Sequence, residues 1–260
     1  MTLPKPIVVV ALVALVAGCQ PMQSDNLRNG YAALQDQNYD SALALAAQEL
    51  RASPNGPAAA EAYYLRGRAL EQRPAATPAD SARKWAAART AYEQALAFKP
   101  APLLQAYIRA SLGNVAFFQD DYATSAESFR LAYADLNTDD ARAWALYRAA
   151  LSYQRLGQFN TADNFFAETA KRYPGTLQAQ RAAENRGARA FHLRLSAFSD
   201  EPRANSAADA LRRQGFSGIS ILRDARGKYI VRLGPYASHP AAQSARRQLQ
   251  QRFPDALIMP

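Results

Sequence analysis

The sequence predicts two unlike parts, an α-helical solenoid and, after it, a small βαββαβ domain, which together make a mixed α and α/β fold. Small residues, aromatic residues and prolines recur at similar spacings between residues 23 and 176, which is the mark of a repeat architecture. After residue 190, apolar and polar residues alternate in two short runs, 191–198 and 228–233, as they do in β-strands with two different faces. Alanine makes up much of the 49% hydrophobic content, which suits closely packed helices.

The first 18 residues have the pattern of a signal peptide. Lys5 precedes an uncharged run over residues 7–18. That run is shorter than the ~20 residues that a membrane-spanning helix needs, but it suits the apolar part of a secretory leader. The run ends at Cys19, the single cysteine of the chain, so a disulfide within the chain is excluded.

Residues 16–19, Val-Ala-Gly-Cys, resemble the lipobox of bacterial lipoproteins. The resemblance implies that Cys19 is acylated and that residues 19–22 form the lipidated N-terminus, where several acyl chains give durable anchoring. The alternative is an ordinary secretory leader with a chance cysteine. Gln20 stands where inner-membrane lipoproteins usually have Asp, which implies an outer-membrane lipoprotein that faces the periplasm.

Four units can be aligned within residues 23–176. In the fourth, Ala150 and Gly157 are followed by Phe166 and Pro174. The corresponding residues are Gly113, Tyr122 and Phe129 in the third unit, Gly67, Ala88, Tyr92 and Pro100 in the second, and Gly30, Tyr39, Ala42 and Pro54 in the first. The small residues would let two helices approach, the aromatic residues would fill the gap, and the prolines would end the second helix.

These spacings resemble the tetratricopeptide repeat (TPR), and a generic helical bundle is the alternative. The second unit carries an insertion at 73–81, whose two prolines indicate a loop. Residues 177–190 are expected to form a capping helix and a linker. A TPR-like array offers a concave groove for another envelope protein or an acidic or C-terminal peptide, although the same side chains could be only solvated surface. The candidate groove residues are Tyr64, Arg68, Tyr147, Arg148 and Arg155.

The terminal domain, 191–260, is predicted to alternate strands and helices. Strands are expected at 191–198, 219–223, 228–233 and 255–259, and helices at 200–214 and 239–253. This order gives an antiparallel sheet with both helices on one face. Strict alternation in the first strand places Phe191, Leu193, Leu195 and Ala197 on one side and His192, Arg194, Ser196 and Phe198 on the other.

The first strand and the segment 229–236, Tyr-Ile-Val-Arg-Leu-Gly-Pro-Tyr, resemble the SPOR domain, a bacterial module that binds peptidoglycan glycan strands. The resemblance implies binding on the uncovered sheet face, with a preference for strands stripped of stem peptides. Two positions depart from the family pattern, because its glutamine is Arg194 here and its third-strand arginine is Ile230. Arg232 could take over that charge. The candidate glycan-binding residues are His192, Arg194, Ser196, Ala197, Ile230 and Arg232.

Charge is concentrated in the same domain. From residue 191 onward there are 11 Arg or Lys against 5 Asp or Glu, whereas the preceding residues carry 20 against 17. A basic surface favours anionic partners such as nucleic acid, lipid headgroups or cell-wall polymer. An RNA-recognition fold shares the strand order, but the first strand lacks the outward aromatic residues that stack on bases. A purely structural ferredoxin-like domain is the other alternative.

The sequence predicts a protein that is not an enzyme and needs no cofactor or metal. His192 and His239 lack acidic neighbours at metal-binding spacing, and no glycine-rich phosphate loop follows a strand. The prediction is therefore an envelope lipoprotein that tethers glycan strands to another protein, as a scaffold at the division site. A periplasmic assembly factor with an accessory terminal domain is the alternative, and a cell-wall hydrolase is a further one.

Overall fold

The computed structural model describes residues 24–224 and 226–260, so the predicted signal peptide and Cys19 lie outside the described residues. Nine helices form the first part of the described chain. They are α1 (Asp25–Gln35), α2 (Tyr39–Ala52), α3 (Ala59–Gln72), α4 (Pro78–Ala97), α5 (Pro102–Phe118), α6 (Tyr122–Asp135), α7 (Asp139–Arg155), α8 (Phe159–Arg172) and α9 (Leu177–Asn185).

The second part alternates strands and helices. Its elements are β1 (Phe191–Phe198), α10 (Glu201–Arg213), β2 (Ile219–Arg223), β3 (Tyr229–Tyr236), α11 (His239–Leu249) and β4 (Leu257–Met259). The predicted fold class, a TPR-like helical array followed by a βαββαβ domain, is confirmed.

Helices α1 to α8 form four two-helix units in which each helix packs on the next. In the first, third and fourth units the turn between the helices has one residue in the left-handed region, two positions before the second helix starts. These residues are Gln37 (φ 59°), Asp120 (φ 61°) and Gly157 (φ 78°). The second unit has the predicted insertion instead. The same short turn therefore recurs wherever the unit has its basic length.

Small residues on the first helix of a unit meet an aromatic ring from the second helix. A Cβ atom added to Gly67 would overlap the Tyr92 ring, and one added to Gly113 would lie 3.0 Å from the Phe129 ring. Both rings are fully buried. Because interiors are close-packed, the absence of a side chain at each glycine is what lets the ring in, as the sequence predicts.

The fourth unit repeats this arrangement with Ala150 beside Phe166 in one buried cluster. Phe166 follows Ala150 by 16 positions, as Phe129 follows Gly113. In the second unit the aromatic residue comes 25 positions after its glycine, and the difference of nine is the length of the insertion at 73–81. The insertion thus leaves the packing of the unit unchanged.

Side chains at the helix starts satisfy the free backbone N–H groups there. Thr77 accepts from Asp80 N, Asp121 from Thr124 N and Thr138 from Ala141 N. Asp121 also pairs with Arg89 at 3.0 Å. Asp121 therefore serves both a helix start and an ion pair.

The terminal domain has an antiparallel sheet in the order β2-β3-β1-β4. Both helices of this domain pack on one face of the sheet, and the core of the domain lies between them and the strands. The buried side chains are Phe191, Leu193, Ala204, Ala208, Ile219, Val231, Leu233 and Ala242. Strand β3 continues through Gly234 and Pro235, where the sequence predicts its end, because Tyr236 still pairs with Phe191. Helix α11 ends at Leu249, earlier than predicted, where Phe253 N turns back to Leu249 O.

The terminal domain rests on the turns of the third and fourth units. The left-handed Gly157 lies against Ala237, so that a Cβ atom added there would be 2.8 Å from the Ala237 carbonyl oxygen. Gln243 Nε2 donates to Asp120 Oδ2 at 3.1 Å, and the rings of Phe159 and Phe191 lie 5.7 Å apart. These contacts involve α11, the start of β1 and the loop before α11, and the opposite face of the sheet takes no part in them.

Two further groups complete this junction. His239 Nδ1 lies 3.0 Å from the Tyr122 hydroxyl, which donates to Asp120 Oδ1 at 2.5 Å. In the peptide that links α9 to β1, Gly187 N and Arg189 donate to Asp163 of α8 at 2.9 and 2.8 Å. The two parts are therefore held together both by side-chain packing and by hydrogen bonds to the linking peptide.

Candidate functional site

The sheet face opposite the two helices is the candidate glycan-binding surface. Leu193 and Val231 are fully buried beneath the helices. Since side chains alternate along a strand, Arg194 and Arg232 point to the open side, and they lie directly opposite each other in the β1–β3 register. His192, between the buried Phe191 and Leu193, shares that side.

The β1–β3 register shifts twice, between Phe191 and Leu193 and again between Arg194 and Ser196, and the second shift changes the predicted site. Arg194 pairs with Arg232, but Ser196 pairs with Val231 and Ala197 with Ile230. One extra residue in β1 therefore breaks the strict alternation, as in a β-bulge. Ser196, predicted on the open face, instead lies opposite a core residue, and the exposed Ala197 shares the open side with Ile230.

Phe198 also departs from the predicted alternation, because it packs against the core of the domain. Its size was the available signal. A large apolar residue in the polar phase of a strand indicates that the phase has changed before it is reached. On that basis the open face includes Ala197 in place of Ser196.

The open face consists of three rows that run across the strands. The middle row is Ser220, Arg232, Arg194 and Leu257, in register across all four strands. The second row is Leu222, Ile230 and Ala197. The third is Gly234, His192 and Met259. An apolar row thus adjoins a cationic one, and neighbouring strands bring the groups in a row to within ~5 Å of one another.

The middle row carries positive charge that the described residues do not neutralise. Arg232 Nε donates to Ser220 Oγ at 3.0 Å. Within residues 24–224 and 226–260, no carboxylate lies within salt-bridge distance of Arg194 or Arg232. Burial and the positive charge of Arg232 lower the pKa of His192, so His192 is neutral beside the two arginines at neutral pH. Its Nδ1 atom is buried without a hydrogen-bond partner.

Ile230 is buried on this side of the sheet, with 3% of its surface exposed. Its cross-strand neighbours Leu222 and Ala197 flank it. The family pattern has an arginine at this position. Here the position holds a buried apolar side chain, and the charge lies two residues further along the strand, at Arg232.

The candidate groove residues of the helical array fall into two groups. Tyr64 is 7% exposed and belongs to a buried cluster, so its ring packs in the core instead of lining an open surface. Its hydroxyl accepts from Arg68 at 3.0 Å. Tyr147, Arg148 and Arg155 lie together on α7, about two helical turns from end to end.

A chain of hydrogen bonds crosses the array and reaches Arg148. Tyr92 donates to Glu71 Oε2 at 2.5 Å, and Asn114 Nδ2 donates to Glu71 Oε1 at 2.6 Å. Arg148 in turn donates to Asn114 Oδ1 at 2.7 Å. Helices α3, α5 and α7 are therefore linked by one polar network, none of whose members except Arg148 was among the candidate groove residues.

Aromatic rings and cations alternate along the same edge of the array. The Trp85 and Phe118 rings stack 4.8 Å apart. The Arg148 guanidinium lies 5.7 Å from the Phe118 ring centroid and 4.1 Å from that of Phe117. Beside Trp85 and Phe118 is a shallow cavity of about 670 Å³.

The series continues to the terminal domain through Arg155, whose guanidinium lies 6.0 Å from the Phe117 ring and 5.8 Å from the Phe191 ring of β1. We call Trp85, Phe118, Arg148, Phe117, Arg155 and Phe191 the cation–aromatic series. None of its aromatic members is among the residues predicted from the sequence, although the consecutive Phe117 and Phe118 at a helix end are a visible signal for two of them.

Both arginines of this series have unused donors. Arg148 Nε and Arg155 Nη1 are buried without a hydrogen-bond partner. Burial lowers the pKa of Arg148 to about 10 and also lowers the pKa of Arg155, so both remain cationic at neutral pH. Buried charges are usually paired, but among the described residues no carboxylate lies within salt-bridge distance of either arginine.

Among the described residues, no group of three or more His, Cys, Asp and Glu side chains is placed to hold a metal ion. In the same part of the chain, no helix is both long enough and apolar enough to cross a membrane.

Comparison with known proteins identifies the terminal domain. Residues 187–260 match the model of the SPOR domain, so the C-terminal part of the chain is a SPOR domain, a member of a peptidoglycan-binding family. No curated protein matches the chain. A solved structure described as "Crystal structure of MamA protein" is similar over 60% of this chain and 76% of that chain, with 20% identity and a TM-score of 0.47.

Proposed function

We propose that this protein is a non-enzymatic scaffold of the cell envelope, which binds peptidoglycan glycan strands through its SPOR domain and an acidic segment of another envelope protein through its helical array. The observation that supports it most directly is the orientation of the SPOR domain. Its helix side and the start of β1 contact the array through Gly157 and Tyr122, and its open sheet face is left free for a polymer.

The open face has the chemistry that a glycan requires. Guanidinium and hydroxyl groups bond to the hydroxyl, amide and carboxyl groups of sugars. In the adjoining row, Leu222 and the exposed Ala197 flank the buried Ile230 and offer apolar contacts to the C–H face of a sugar ring. The row of Ser220, Arg232, Arg194 and Leu257 lies parallel to it. A glycan strand laid across the β-strands would contact both rows.

Pull-down with purified sacculi tests the glycan-binding half of the proposal. We expect the chain from residue 20 onward to sediment with sacculi, and the double variant Arg194→Ala, Arg232→Ala to stay in the supernatant. A matched control is Arg213→Ala with Arg247→Ala, which removes the same charge from exposed positions on the helices. If the unaltered chain does not sediment, or if both double variants lose binding equally, glycan binding by the sheet is wrong.

The partner-binding half rests on the cation–aromatic series. Its two arginines have no ion pair among the described residues, so acidic side chains with apolar neighbours would complement its charge. Fluorescence anisotropy with a labelled hexaglutamate peptide is a direct probe. We expect binding that Arg148→Gln with Arg155→Gln abolishes and that Arg51→Gln, on the exposed surface of α2, leaves unchanged. Equal binding by all three proteins would remove this half of the proposal.

We further propose that Cys19 carries the lipid that anchors the protein in the outer membrane, facing the periplasm, and that the scaffold works at the division site. The support is the lipobox-like sequence and the SPOR domain, which implies association with periplasmic peptidoglycan. Membrane fractionation of Cys19→Ser tests the anchor, because the variant should leave the membrane fraction. A fluorescent fusion that does not enrich at midcell would overturn the division-site role.

A further inference from the structure

Five exposed arginines lie on the helix side of the SPOR domain, on the other side of the sheet from its open face. Arg212 and Arg213 belong to the last turn of α10, and Arg246 and Arg247 to the last turn of α11. Arg252 follows three residues after the end of α11. We call these five residues the basic patch.

The ends of the two helices are held next to each other. Arg252 donates to the side chain of Gln214, which directly follows α10. The rings of Phe216 and Phe253 lie 6.0 Å apart. The Arg252 guanidinium lies 4.7 Å from the first ring centroid and 5.8 Å from the second, and both rings are half-buried. The arginines of both helix ends therefore share one surface with two partly exposed aromatic rings.

The charge of the basic patch is mostly unpaired. Residues 210–223 and 239–254 include no Asp or Glu. Arg212 pairs with Asp209 at 2.7 Å, but among the described residues no carboxylate lies within salt-bridge distance of the other four arginines. Cations in the last turn of a helix counter its dipole, but Arg252 lies beyond α11. The patch therefore presents a surplus of positive charge to solvent.

A recess lies within this surface, between α11 and the segment that follows α10. Its volume is about 390 Å³. The side chains of Phe216, Leu233, Ala245 and Leu249 contribute to its lining, together with residues 215–218. An extended polyanion such as RNA would contact the arginines and leave the apolar lining unused. A lipid surface offers phosphate groups above an apolar layer, so it matches both features.

We propose that the basic patch docks the SPOR domain on the anionic phospholipid headgroups of a membrane surface. Clusters of about four to eight arginines or lysines bind anionic lipids, and each cation near the surface contributes about fivefold in affinity. Phe216 and Phe253 supply the aromatic contact that helices lying on membranes use. Because the patch is on the helix side, the open sheet face would stay accessible. This docking is therefore independent of glycan binding, which uses the opposite face.

Flotation with vesicles tests the inference. The chain from residue 20 onward, which lacks Cys19 and so carries no lipid, is mixed with vesicles of equal parts phosphatidylglycerol and phosphatidylcholine or of phosphatidylcholine alone. We expect at least about tenfold tighter binding to the anionic vesicles, and release from them as added salt screens the charges. Equal binding to both, or no binding to the anionic vesicles, would overturn the inference. Sedimentation with sacculi reports separately on the sheet, so either result leaves glycan binding standing.

Double variants assign the binding to the patch. Arg213→Gln with Arg247→Gln should bind anionic vesicles about twentyfold more weakly, whereas lysine at both positions keeps the charge and should restore binding. Arg51→Gln with Arg66→Gln removes the same charge from exposed positions on α2 and α3 and should bind as the unaltered chain does. Equal losses in the two glutamine variants would mean that net charge alone acts, and would overturn the patch. Competition by polyuridylate RNA as strong as that by the anionic vesicles would overturn the assignment to lipid.

Discussion

Glu71 and Arg148 belong to different repeat units, and the side-chain amide of Asn114 joins them. Asn114 donates to the carboxylate of one and accepts from the guanidinium of the other, at 2.6 and 2.7 Å. Since Tyr92 also donates to Glu71, a negative and a positive group share one hydrogen-bonded network inside the array. The amide keeps the two charges apart while satisfying both, so three units are held in register.

Removing that amide should be costly. In Asn114→Ala, Glu71 loses a donor and Arg148 loses its acceptor, and leaving such groups unsatisfied in a buried place costs about 2–3 kcal/mol. We expect the helical array to unfold at correspondingly lower urea concentration, measured by far-UV circular dichroism. Arg130→Ala breaks only the exposed pair with Glu127 and should change the free energy of unfolding by less than about 0.5 kcal/mol. Equal midpoints for the two variants would contradict the role of the network.

The glycines that face aromatic rings should differ in their tolerance of alanine. Alanine stabilises a helix relative to glycine by about 1 kcal/mol, but in Gly67→Ala the new methyl group would overlap the Tyr92 ring. The Tyr92 hydroxyl is bound to Glu71, which limits the movement of that ring. We expect a net destabilisation of about 1–3 kcal/mol, measured as above. Gly113→Ala meets Phe129 at 3.0 Å and should be near neutral, so a reversed order would refute this packing account.

Substitution of Gly157 should release the SPOR domain from the array. Asparagine tolerates the left-handed conformation, so Gly157→Asn adds mainly the clash of its Cβ atom with the Ala237 carbonyl oxygen. We expect a larger radius of gyration in small-angle X-ray scattering, with glycan binding unchanged. Gln37→Asn, in the equivalent turn of the first unit, should leave the scattering unaltered. Identical curves for both variants would show that the turn of the fourth unit does not hold the domain.

The junction should weaken in mild acid because of His239. The Tyr122 hydroxyl donates its hydrogen bond to Asp120, so the Tyr122 oxygen accepts from His239 Nδ1–H. In acid, His239 would therefore gain its second proton at Nε2. Burial, the positive charge of Arg155 and that of Arg246 lower the pKa of His239 to about 4, although Asp120 opposes them. An exposed histidine has a pKa of about 6.5. The separated state therefore binds more protons between these values, and docking is lost as the pH falls from about 6.5 to about 4.

Scattering measured across that range checks the prediction. His239→Asn keeps a side-chain donor and does not titrate, so its domain separation should depend less on pH than that of the unaltered chain. An identical pH dependence in the two proteins would assign the effect to other groups.

The repeats could be predicted from the sequence, because their packing requires small and aromatic residues at fixed spacings. Gly67, Gly113 and Ala150 each precede an aromatic residue at a spacing that the structure explains, because local close approach leaves a direct mark on residue size. The contacts that join the units depend instead on residues distant in sequence. Glu71 and Asn114 are 43 positions apart, and neither has a pattern that announces the other.

The same limit applies to the sheet. Alternation identified β1 and β3 and placed Arg194 and Arg232 correctly on one face. It misplaced Ser196 and Phe198, because one extra residue in β1 changes the phase and no neighbouring glycine or proline marks it. The docking of the SPOR domain was not foreseen, since Gly157 reads as an ordinary turn glycine until Ala237 is seen beside it.

The double attachment of the SPOR domain has a mechanical consequence. A domain joined only by the peptide at 186–190 could swivel, and a pull on the sheet would first straighten that peptide. Here Ala237 and His239 lie against the turns of the third and fourth units, and Asp163 clamps the link at Gly187 and Arg189. Tension on the open face would therefore be borne by these contacts as well as by the linking peptide.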